Sequence, residues 1–576
     1  MKSRLTLLWI LASIVFASCA QQHTADEQFE SLASNYIEKL LRLNPEWATG
    51  LGDHRYDGRL NDYSMAGVEA ERSLTKAYLD SLSKIGPAEL NSANSIDFKI
   101  MQTNLESMLY SLDTLKEYEW NPLYYNVGGA IYGLLAREFA PLNDRLKSVK
   151  ERLAGIPAVV DAAEANLKNP TKIHTETAIL QNSGTIGLIE NDLNMYLSQT
   201  PELKAEFAPV QAQAVKALEQ YGKWLQKDLL PRANGDFRIG DDKFKRKLYY
   251  SLESDLTKEE ILNSAEEDLK KTQDALYETA VPFFQKFFPT IANTNIAKDK
   301  KTVIKAVLDK LADNHPTNAT IVDLAKQDLK TTTDFVRANN LVTVPDNPVN
   351  VVVMPEYQRG VAVAYCDAPG PLEKNGETFF TISPTPKDWT TNRVESFFRE
   401  YNNYMLQDLT IHEGMPGHYL QLAHSNKFKA PTMIRVIFSN GMFVEGWATY
   451  AEQLMVEKGY GGPEVKMQEL KMHLRLIINA IIDQKIHTAG MTENEAMLLM
   501  KNEGFQEEGE AAGKWRRACL TSSQLSTYYV GNTELNLLRK AYEARYGTND
   551  MKAMNDAIIS FGSPAPKYIK KALGLE

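Results

Sequence analysis

Two histidines and a glutamate stand within seven residues of one apolar segment, residues 409–422, which reads LTIHEGMPGHYLQL. His412 and Glu413 precede the pair Pro416-Gly417, and His418 follows it. Proline donates no amide and its ring clashes with the carbonyl four residues back, while glycine adopts backbone angles that other residues avoid. The segment therefore predicts a helix that is interrupted by a bulge at Pro416-Gly417.

The bulge decides whether the two imidazoles face one another. On a regular helix a spacing of six residues turns the second side chain about 240° from the first, whereas histidines four apart face one ion. A bulge that absorbs two residues returns His418 to the face of His412. Two imidazoles beside a carboxylate are the materials of a zinc site with its own base. We therefore predict a Zn²⁺ site with His412 and His418 as ligands and Glu413 as general base.

A catalytic zinc site needs a third protein ligand and leaves its fourth position to water. Glu445 follows His418 by 27 residues, in the segment 443–452, which reads FVEGWATYAE. An acid this early in an apolar helix stands out, although the helix dipole also favours acids near a helix start. We predict that Glu445 is the third metal ligand.

The first residues have the layout of a signal peptide. Lys2 and Arg4 precede a mostly apolar run over residues 5–16, which is too short to cross a bilayer. The run ends in residues 16–19 (FASC), which resemble a bacterial lipobox, where lipid is attached to the cysteine. We predict a lipoprotein signal peptide over residues 1–18, and a lipidated Cys19 with a short tether over 19–26. The body would be exported and held to the cell envelope, at the outer membrane, by this anchor alone.

The composition is that of a globular chain with a large core. Of the 576 residues, 43% are hydrophobic and 24% are charged, which excludes a disordered or collagen-like protein. The net charge is −10, so no general attraction to nucleic acid is expected. Three cysteines cannot build a disulfide scaffold, and one bridge between Cys366 and Cys519 is the most that remains if Cys19 carries lipid.

Apolar residues recur every three or four positions along most of the chain, which predicts a mainly helical body. Beta-branched residues concentrate in residues 341–354, 361–366 and 377–382, which predict a small sheet beside the helices. We expect an N-terminal helical part over 27–340 and a catalytic part over 341–576, and the two could also form one continuous domain. Apolar stripes mark residues 28–43, 144–167, 203–229 and 257–288, the last with Thr257 and Glu260 in capping-box spacing.

Residues 412–418 (HEGMPGH), followed by residues 445–450 (EGWATY), resemble the DUF885 family of bacterial proteins, which are similar to zinc metallopeptidases of the gluzincin kind. The likeness extends to residues 340–345, 483–487 (DQKIH) and 524–531 (QLSTYYVG). It is specific from about residue 340 onward and weaker in the N-terminal half. The resemblance covers most of the chain that follows the signal peptide.

The resemblance implies a zincin-like fold, mainly α-helical with a small β-sheet beside a deep active-site cleft, and a preference for short peptides. It also implies a donor that faces the developing oxyanion, for which Tyr528 is the first choice and His487 the second. Two positions depart from the family. Tyr419 stands where the family often has a histidine, which removes no predicted ligand, and residues 522–523 replace a frequent Pro-Gly, which bears on the position of Tyr528.

Contacts to the substrate are predicted from position and charge. The strand residues that lead to Tyr365 could pair with an extended peptide, as many proteases do. Four cationic residues are candidates to bind the terminal carboxylate of a peptide, which would make the enzyme a carboxypeptidase or dipeptidase. They are Arg475, Lys514, Arg516 and Arg517.

These residues together predict a zinc metallopeptidase of the cell envelope that cleaves short peptides, with Glu413 as base for the attacking water. The main alternative is a non-catalytic outer-membrane lipoprotein that binds glycans or peptides. Such a protein has no need of Glu413 beside a metal-spaced histidine pair. A second alternative keeps the zinc but hydrolyses amides or esters outside peptides.

Overall fold

The described part of the chain folds mainly into helices, with one three-stranded sheet. The structure is a computed structural model that describes residues 24–291, 299–346, 349–354, 359, 363–374, 376–547 and 550–576. The predicted signal peptide and Cys19 lie outside these residues. No helix within the described ranges combines the length and the apolar character needed to cross a membrane.

The helices that precede the sheet are α1 Ala25–Leu43, α2 Pro45–Leu51, α3 Met65–Leu82, α4 Ser92–Tyr110, α5 Glu117–Trp120, α6 Gly128–Ala136, α7 Leu142–Asn166, α8 Lys172–Gly187, α9 Leu193–Leu197, α10 Lys204–Trp224, α11 Asp241–Leu252, α12 Lys258–Phe287, α13 Lys300–Leu311 and α14 Ile321–Ala338. The four predicted apolar stripes fall on α1, α7, α10 and α12. Thr257 and Glu260 form the predicted capping box at the start of α12, so the sequence signal for this helix is confirmed.

The sheet and the remaining helices follow: β1 Val349–Val353, β2 Ala364–Asp367, β3 Thr378–Ile382, α15 Thr391–Glu400, α16 Asn403–Glu413, α17 His418–Ser425, α18 Ile434–Ile437, α19 Gly441–Glu457, α20 Gly462–Ala489, α21 Glu493–Asn502, α22 Glu508–Leu520, α23 Ser526–Tyr546, α24 Met551–Ile559 and α25 Pro566–Ala572. The strand order is β1-β3-β2, with β1 parallel and β2 antiparallel to β3. β2 is therefore an edge strand of this sheet.

The small predicted sheet is confirmed, but its first strand is shorter than predicted. Within the predicted strand 341–354, the observed strand covers Val349–Val353, the Met354 amide still donates to the carbonyl of Ile382 at 2.8 Å, and residues 341–346 are irregular. The side chains of α24 satisfy this backbone instead, since Asn555 donates to the carbonyl of Leu341 at 2.9 Å and Asp556 accepts the amide of Thr343 at 2.7 Å. Residues 347–348 and 361–362 of the predicted strands lie outside the described residues.

One hydrophobic core combines residues of both predicted parts. Phe29 and Met101 from the first helices pack in the same cluster as Met442 and Val530 from α19 and α23. Burial of this shared apolar surface stabilises the two parts together. Cys519 is buried and, like Cys366, carries a free thiol, so the bridge between them is not formed.

The loop that follows β2 lies on the N-terminal helices. His54 Nε2 is 2.8 Å from Glu373 Oε2, and Arg137 at the end of α6 pairs with Asp367 of β2. The backbone of Gly52 has a φ of +90°, and a Cβ at this position would lie 2.4 Å from the nitrogen of Glu373. Only glycine fits this conformation and this space, so the loop packs closely against the end of α2. Together with the two charged pairs, this contact holds the edge strand against α2 and α6.

Candidate metal centre

α16 presents its last two residues, His412 and Glu413, to the interior of the protein. The side chain of Asn402 caps its start and accepts the amides of Tyr404 and Met405 at 3.1 and 3.2 Å. Most of the helix is buried, and His412 is only 8% exposed. The helix therefore delivers both groups to an enclosed position.

The predicted bulge between the two histidines is a complete break. α16 ends at Glu413 and α17 begins at His418, so the imidazoles belong to different helices. The peptide bond before Pro416 is cis, and the Gly417 amide donates to the carbonyl of Ile411 at 2.9 Å. The prediction of one bulged helix is wrong, because Gly417 turns the chain back onto the last turn of α16. The two histidines do come together, as predicted.

Gly417 makes this turn possible because it has no side chain. A Cβ at Gly417 would lie 1.9 Å from the carbonyl oxygen of His412 and 2.3 Å from that of Ile411. Real Cβ atoms do not approach oxygen that closely, so any other residue would push His418 away from His412. The Trp447 indole donates to the carbonyl of Pro416 at 2.9 Å and ties the turn to α19.

The third predicted ligand, Glu445, lies in the second turn of α19. Asn440 caps this helix by accepting the amide of Phe443 at 3.0 Å. The next residue, Gly446, packs backbone to backbone against Gly531 of α23, since a Cβ on Gly446 would lie 2.6 Å from the Gly531 Cα. This close packing of two helices fixes the position of Glu445.

The three side chains converge. Glu445 Oε2 lies 3.6 Å from His412 Nε2 and 3.4 Å from His418 Nε2, and the centroids of the two rings are 4.6 Å apart. One ligand atom from each residue lies within 4.8 Å of the others. Glu445 Oε2 is buried without a hydrogen-bond partner. Buried carboxylate oxygens are seldom left so, and two imidazoles with one carboxylate are a donor set for a divalent metal.

The two carboxylates of the site differ in their electrostatics. Burial raises the pKa of Glu445, but the two histidines outweigh it and hold this pKa well below its usual range. Burial dominates at Glu413 and raises its pKa, although the histidines oppose the shift. Glu445 is thus the better anionic ligand, and Glu413 the stronger base.

Glu413 is oriented by the edge strand of the sheet. The amide of Cys366 in β2 donates to Glu413 Oε2 at 2.9 Å. In an antiparallel pair, alternate residues direct their backbone groups away from the partner strand, so those of Ala364 face the same edge. The base therefore lies at the outer edge of β2, where no further strand pairs within the described residues.

Glu452 is a residue of the candidate site that the sequence analysis missed. It lies on α19, is 2% exposed, and binds His412 Nδ1 with one carboxylate oxygen. Such a contact fixes the tautomer of a ligating histidine and leaves Nε2 for the metal. The signal was present in the sequence, because Glu452 follows Glu445 by seven residues, which is two helical turns on one face of an apolar helix.

Tyr528 lies on α23 one turn before Gly531, the residue that packs against Gly446. Its hydroxyl accepts a hydrogen bond from Arg517 at 3.0 Å, which leaves the hydroxyl proton available for donation. Burial, and then the negative charge of Glu445, raise the pKa of Tyr528. The structure thus brings the first-choice donor near the predicted ligands.

His487 is placed differently. Its Nε2 donates to the carbonyls of Ala518 and Thr521 at 2.9 and 2.8 Å, and its ring stacks on Phe244. It lines a cavity of about 260 Å³ together with His174. The Nε2 donor of His487 is thus bound at the end of α22, and its role as the second-choice donor to the oxyanion stays a prediction.

Two side chains that were predicted to contact the substrate instead make contacts within the protein. Arg475 is 7% exposed and pairs with Glu400, so it presents no free charge to a carboxylate. Tyr365 lies in β2 beside Cys366, but successive strand residues face opposite ways. Its hydroxyl interacts with Thr381 and Tyr132. Neither side chain is brought together with the histidine pair.

The family model that matches the chain describes a bacterial protein of unknown function, DUF885, and it covers residues 45–573. The chain belongs to the DUF885 family. Membership extends over the N-terminal helices as well as the helices that carry His412, His418 and Glu445. The family thus includes both parts that share the core.

Two solved structures resemble this DUF885 protein over nearly its whole length. A candidate lipoprotein of unknown function from Shewanella oneidensis is 35% identical, covers 95% of this chain and 100% of its own, and has a TM-score of 0.81. A candidate lipoprotein from Colwellia psychrerythraea is 15% identical, covers 96% and 99%, and has a TM-score of 0.78, which shows a shared fold. A search of curated proteins gave no match.

Proposed function

We propose that this DUF885 protein is a zinc-dependent hydrolase, and that its substrates are short peptides. The convergence of His412, His418 and Glu445 carries the proposal. Three atoms bound about 2.1 Å from a tetrahedral ion lie about 3.4 Å apart. The carboxylate oxygen of Glu445 lies 3.6 and 3.4 Å from the two imidazole nitrogens. The residues therefore fit the ion, and the buried Glu445 oxygen gains a partner.

When bound, zinc lowers the pKa of a water molecule from about 16 toward about 7 and polarises a carbonyl. Glu413 accepts the proton of the attacking water and returns it to the leaving amine. Its carboxylate is held for this task by the Cys366 amide. Tyr528 donates its hydroxyl proton in a hydrogen bond to the developing oxyanion, a contact that can contribute about 3 kcal/mol.

Peptides are the proposed substrates because of the edge of β2. An extended peptide can pair with the outward backbone groups of Ala364, next to Glu413, which itself accepts the Cys366 amide. Peptide pairing uses main-chain groups, so many side chains would be accepted. Amides and esters outside peptides lack this pairing.

Metal content and peptide hydrolysis test the proposal directly. We expect about one zinc per chain by elemental analysis of the purified protein, removed by a chelator and restored by zinc. The protein should lose its hydrolysis of a short-peptide library when the chelator removes the zinc, and should regain it when zinc is restored. A chain that takes up no zinc would refute the proposal and favour a lipoprotein that only binds its ligand. Zinc without peptide cleavage would favour other amides or esters.

Glu452→Gln should weaken zinc binding without unfolding the protein. A partner of this kind typically contributes about 10–100-fold to metal affinity, because it orients the histidine and raises its basicity. The measurement is zinc affinity in competition with a chelator. Glu457→Gln on the same helix is the control, since its carboxylate is more exposed and pairs with Arg539. Unchanged affinity in Glu452→Gln would contradict the assigned role.

We also propose that the protein is anchored in the cell envelope through lipid on Cys19. The lipobox-like residues 16–19 support this, and both similar solved proteins are named as candidate lipoproteins. Cys19→Ala should release the protein from the membrane fraction in a bacterial host that processes lipoproteins. Retention of this variant in that fraction would contradict the anchor.

A further inference from the structure

A cluster of charged side chains joins α15, α20 and α22. It contains two acids and four cations, and we call it the α22 charge cluster. Its members are Glu400, Glu510, Lys471, Arg475, Lys514 and Arg517.

Both acids of the cluster are already paired. Glu400 lies 2.8 Å from Lys471 and pairs with Arg475, and all three side chains are buried. Glu510 lies 3.7 Å from Arg475 and 3.9 Å from Lys514. Within the cluster, four cations against two acids leave an excess of two positive charges when Lys514 is protonated, and the carboxylate of Glu445 offsets part of this excess from outside the cluster.

The unbalanced charge lies at Lys514 and Arg517, one helical turn apart on α22. Arg517 is exposed, forms no salt bridge within the described residues, and donates to Tyr528 at 3.0 Å and to Gln524 at 2.9 Å. The side chain of Lys514 is only 11% exposed. Burial lowers the pKa of Lys514 to about 8, even though Glu510 opposes this shift. An added anion would therefore stabilise its charged form.

The packing of α19 against α23 connects these cations to the candidate metal centre through Tyr528. Gly446, next to Glu445, touches Gly531, and Tyr528 lies one turn before Gly531. Arg517 holds the hydroxyl of that tyrosine. The charge of Glu445 also acts on both Lys514 and Tyr528. A series of contacts thus leads from the proposed metal ligands through the proposed oxyanion donor to the two cations.

We infer that Arg517 and Lys514 form a subsite for a carboxylate of the substrate. This inference rests on the proposed function and narrows it to substrates with a carboxylate close to the cleaved bond. The carboxylate can be the free C-terminus of a peptide or the side chain of an acidic residue. Arg517 offers donors beyond the one bound to Tyr528, and Lys514 adds a point charge.

The test measures peptide binding to zinc-loaded Glu413→Gln protein by calorimetry. The probes are trialanine, trialanine amide and the amide of Ala-Glu-Ala. We expect trialanine, Ala-Glu-Ala amide or both to bind about 10–100-fold more tightly than trialanine amide, as for hydrogen bonds to charged groups. Tighter binding of Ala-Glu-Ala amide alone would assign the subsite to an acidic side chain, and tighter binding of trialanine alone would assign it to the C-terminus. Either result supports the inference.

In the same background, Arg517→Gln and Lys514→Met should each reduce the preference for the free acid and leave binding of the amide unchanged. Arg517→Lys should keep part of it, which separates a lost charge from a misfolded helix. Arg545→Gln is the control, because Arg545 is an exposed cation in the last turn of α23. Equal affinity for trialanine, trialanine amide and Ala-Glu-Ala amide would overturn the subsite. If the wild-type protein hydrolyses no peptide but still binds a peptide with a carboxylate more tightly, the hydrolase is refuted and the subsite stands. If it hydrolyses peptides but turns over those with and without a carboxylate equally well, the subsite alone is refuted.

Discussion

Glu413→Gln is expected to lower kcat/KM for a short peptide by about 10²–10⁴-fold, the usual contribution of a general base. Glutamine has the shape of glutamate and can still accept the Cys366 amide, but it takes up no proton. Glu413 is not one of the three proposed ligands, so the substitution leaves His412, His418 and Glu445 in place. Zinc content and peptide affinity should therefore equal those of the wild type.

The controls separate this effect from a loss of structure. Glu267→Gln removes a carboxylate from an exposed position on α12, where it lies 3.9 Å from Lys271, and should leave kcat/KM unchanged. Steady-state kinetics, with zinc measured on the same samples, distinguish the outcomes. Full activity in Glu413→Gln would show that another group accepts the proton and would remove Glu413 from the mechanism.

Gly417→Ala is expected to destroy the metal centre. The new Cβ would lie 1.9 Å from the carbonyl oxygen of His412, so the chain between the two helices must move and carry His418 with it. We expect zinc affinity to fall by more than about 100-fold, beyond the loss of a supporting partner. The free energy of unfolding of the zinc-free protein should fall by about 3 kcal/mol, the upper end for an overpacked interior.

Two further variants serve as controls for Gly417→Ala. Gly184→Ala, on an exposed part of α8 with open space around the glycine, should unfold at the same denaturant concentration or higher. His418→Ala should lose zinc with less effect on the zinc-free protein, because it removes a side chain without a clash. Zinc binding and chemical unfolding are the measurements. Wild-type zinc affinity in Gly417→Ala would mean that the turn relaxes without moving His418.

The predicted metal ligands could be read from the sequence because residue chemistry and spacing restrict them strongly. His412, His418 and Glu445 converge although they come from three helices. The local path between the histidines could not be predicted. A proline and a glycine indicate an interruption, but a bulge and a complete break both satisfy that signal.

Residues whose role depends on a partner far away in the sequence were harder to predict. Glu452 is one acid among many in the sequence, and only the fold brings it to His412 Nδ1. Arg475 looks like a free cation in the sequence because Glu400, its partner, is 75 residues away. Helix periodicity placed α1, α7 and α12 well, whereas the strand content of residues 341–346 depended on distant side chains of α24.

The contacts that hold the edge strand join distant parts of the chain. Arg137 and Asp367 are separated by 230 residues in the chain, and His54 and Glu373 by 319. Contacts between such distant positions close large loops, so their entropic cost is offset only by the rest of the fold. The strand that orients Glu413 therefore depends on α2 and α6, and α19, which carries Glu445, shares a core with the first helices. A fragment that began at the sheet would contain every proposed ligand but would lack the helices that support their arrangement.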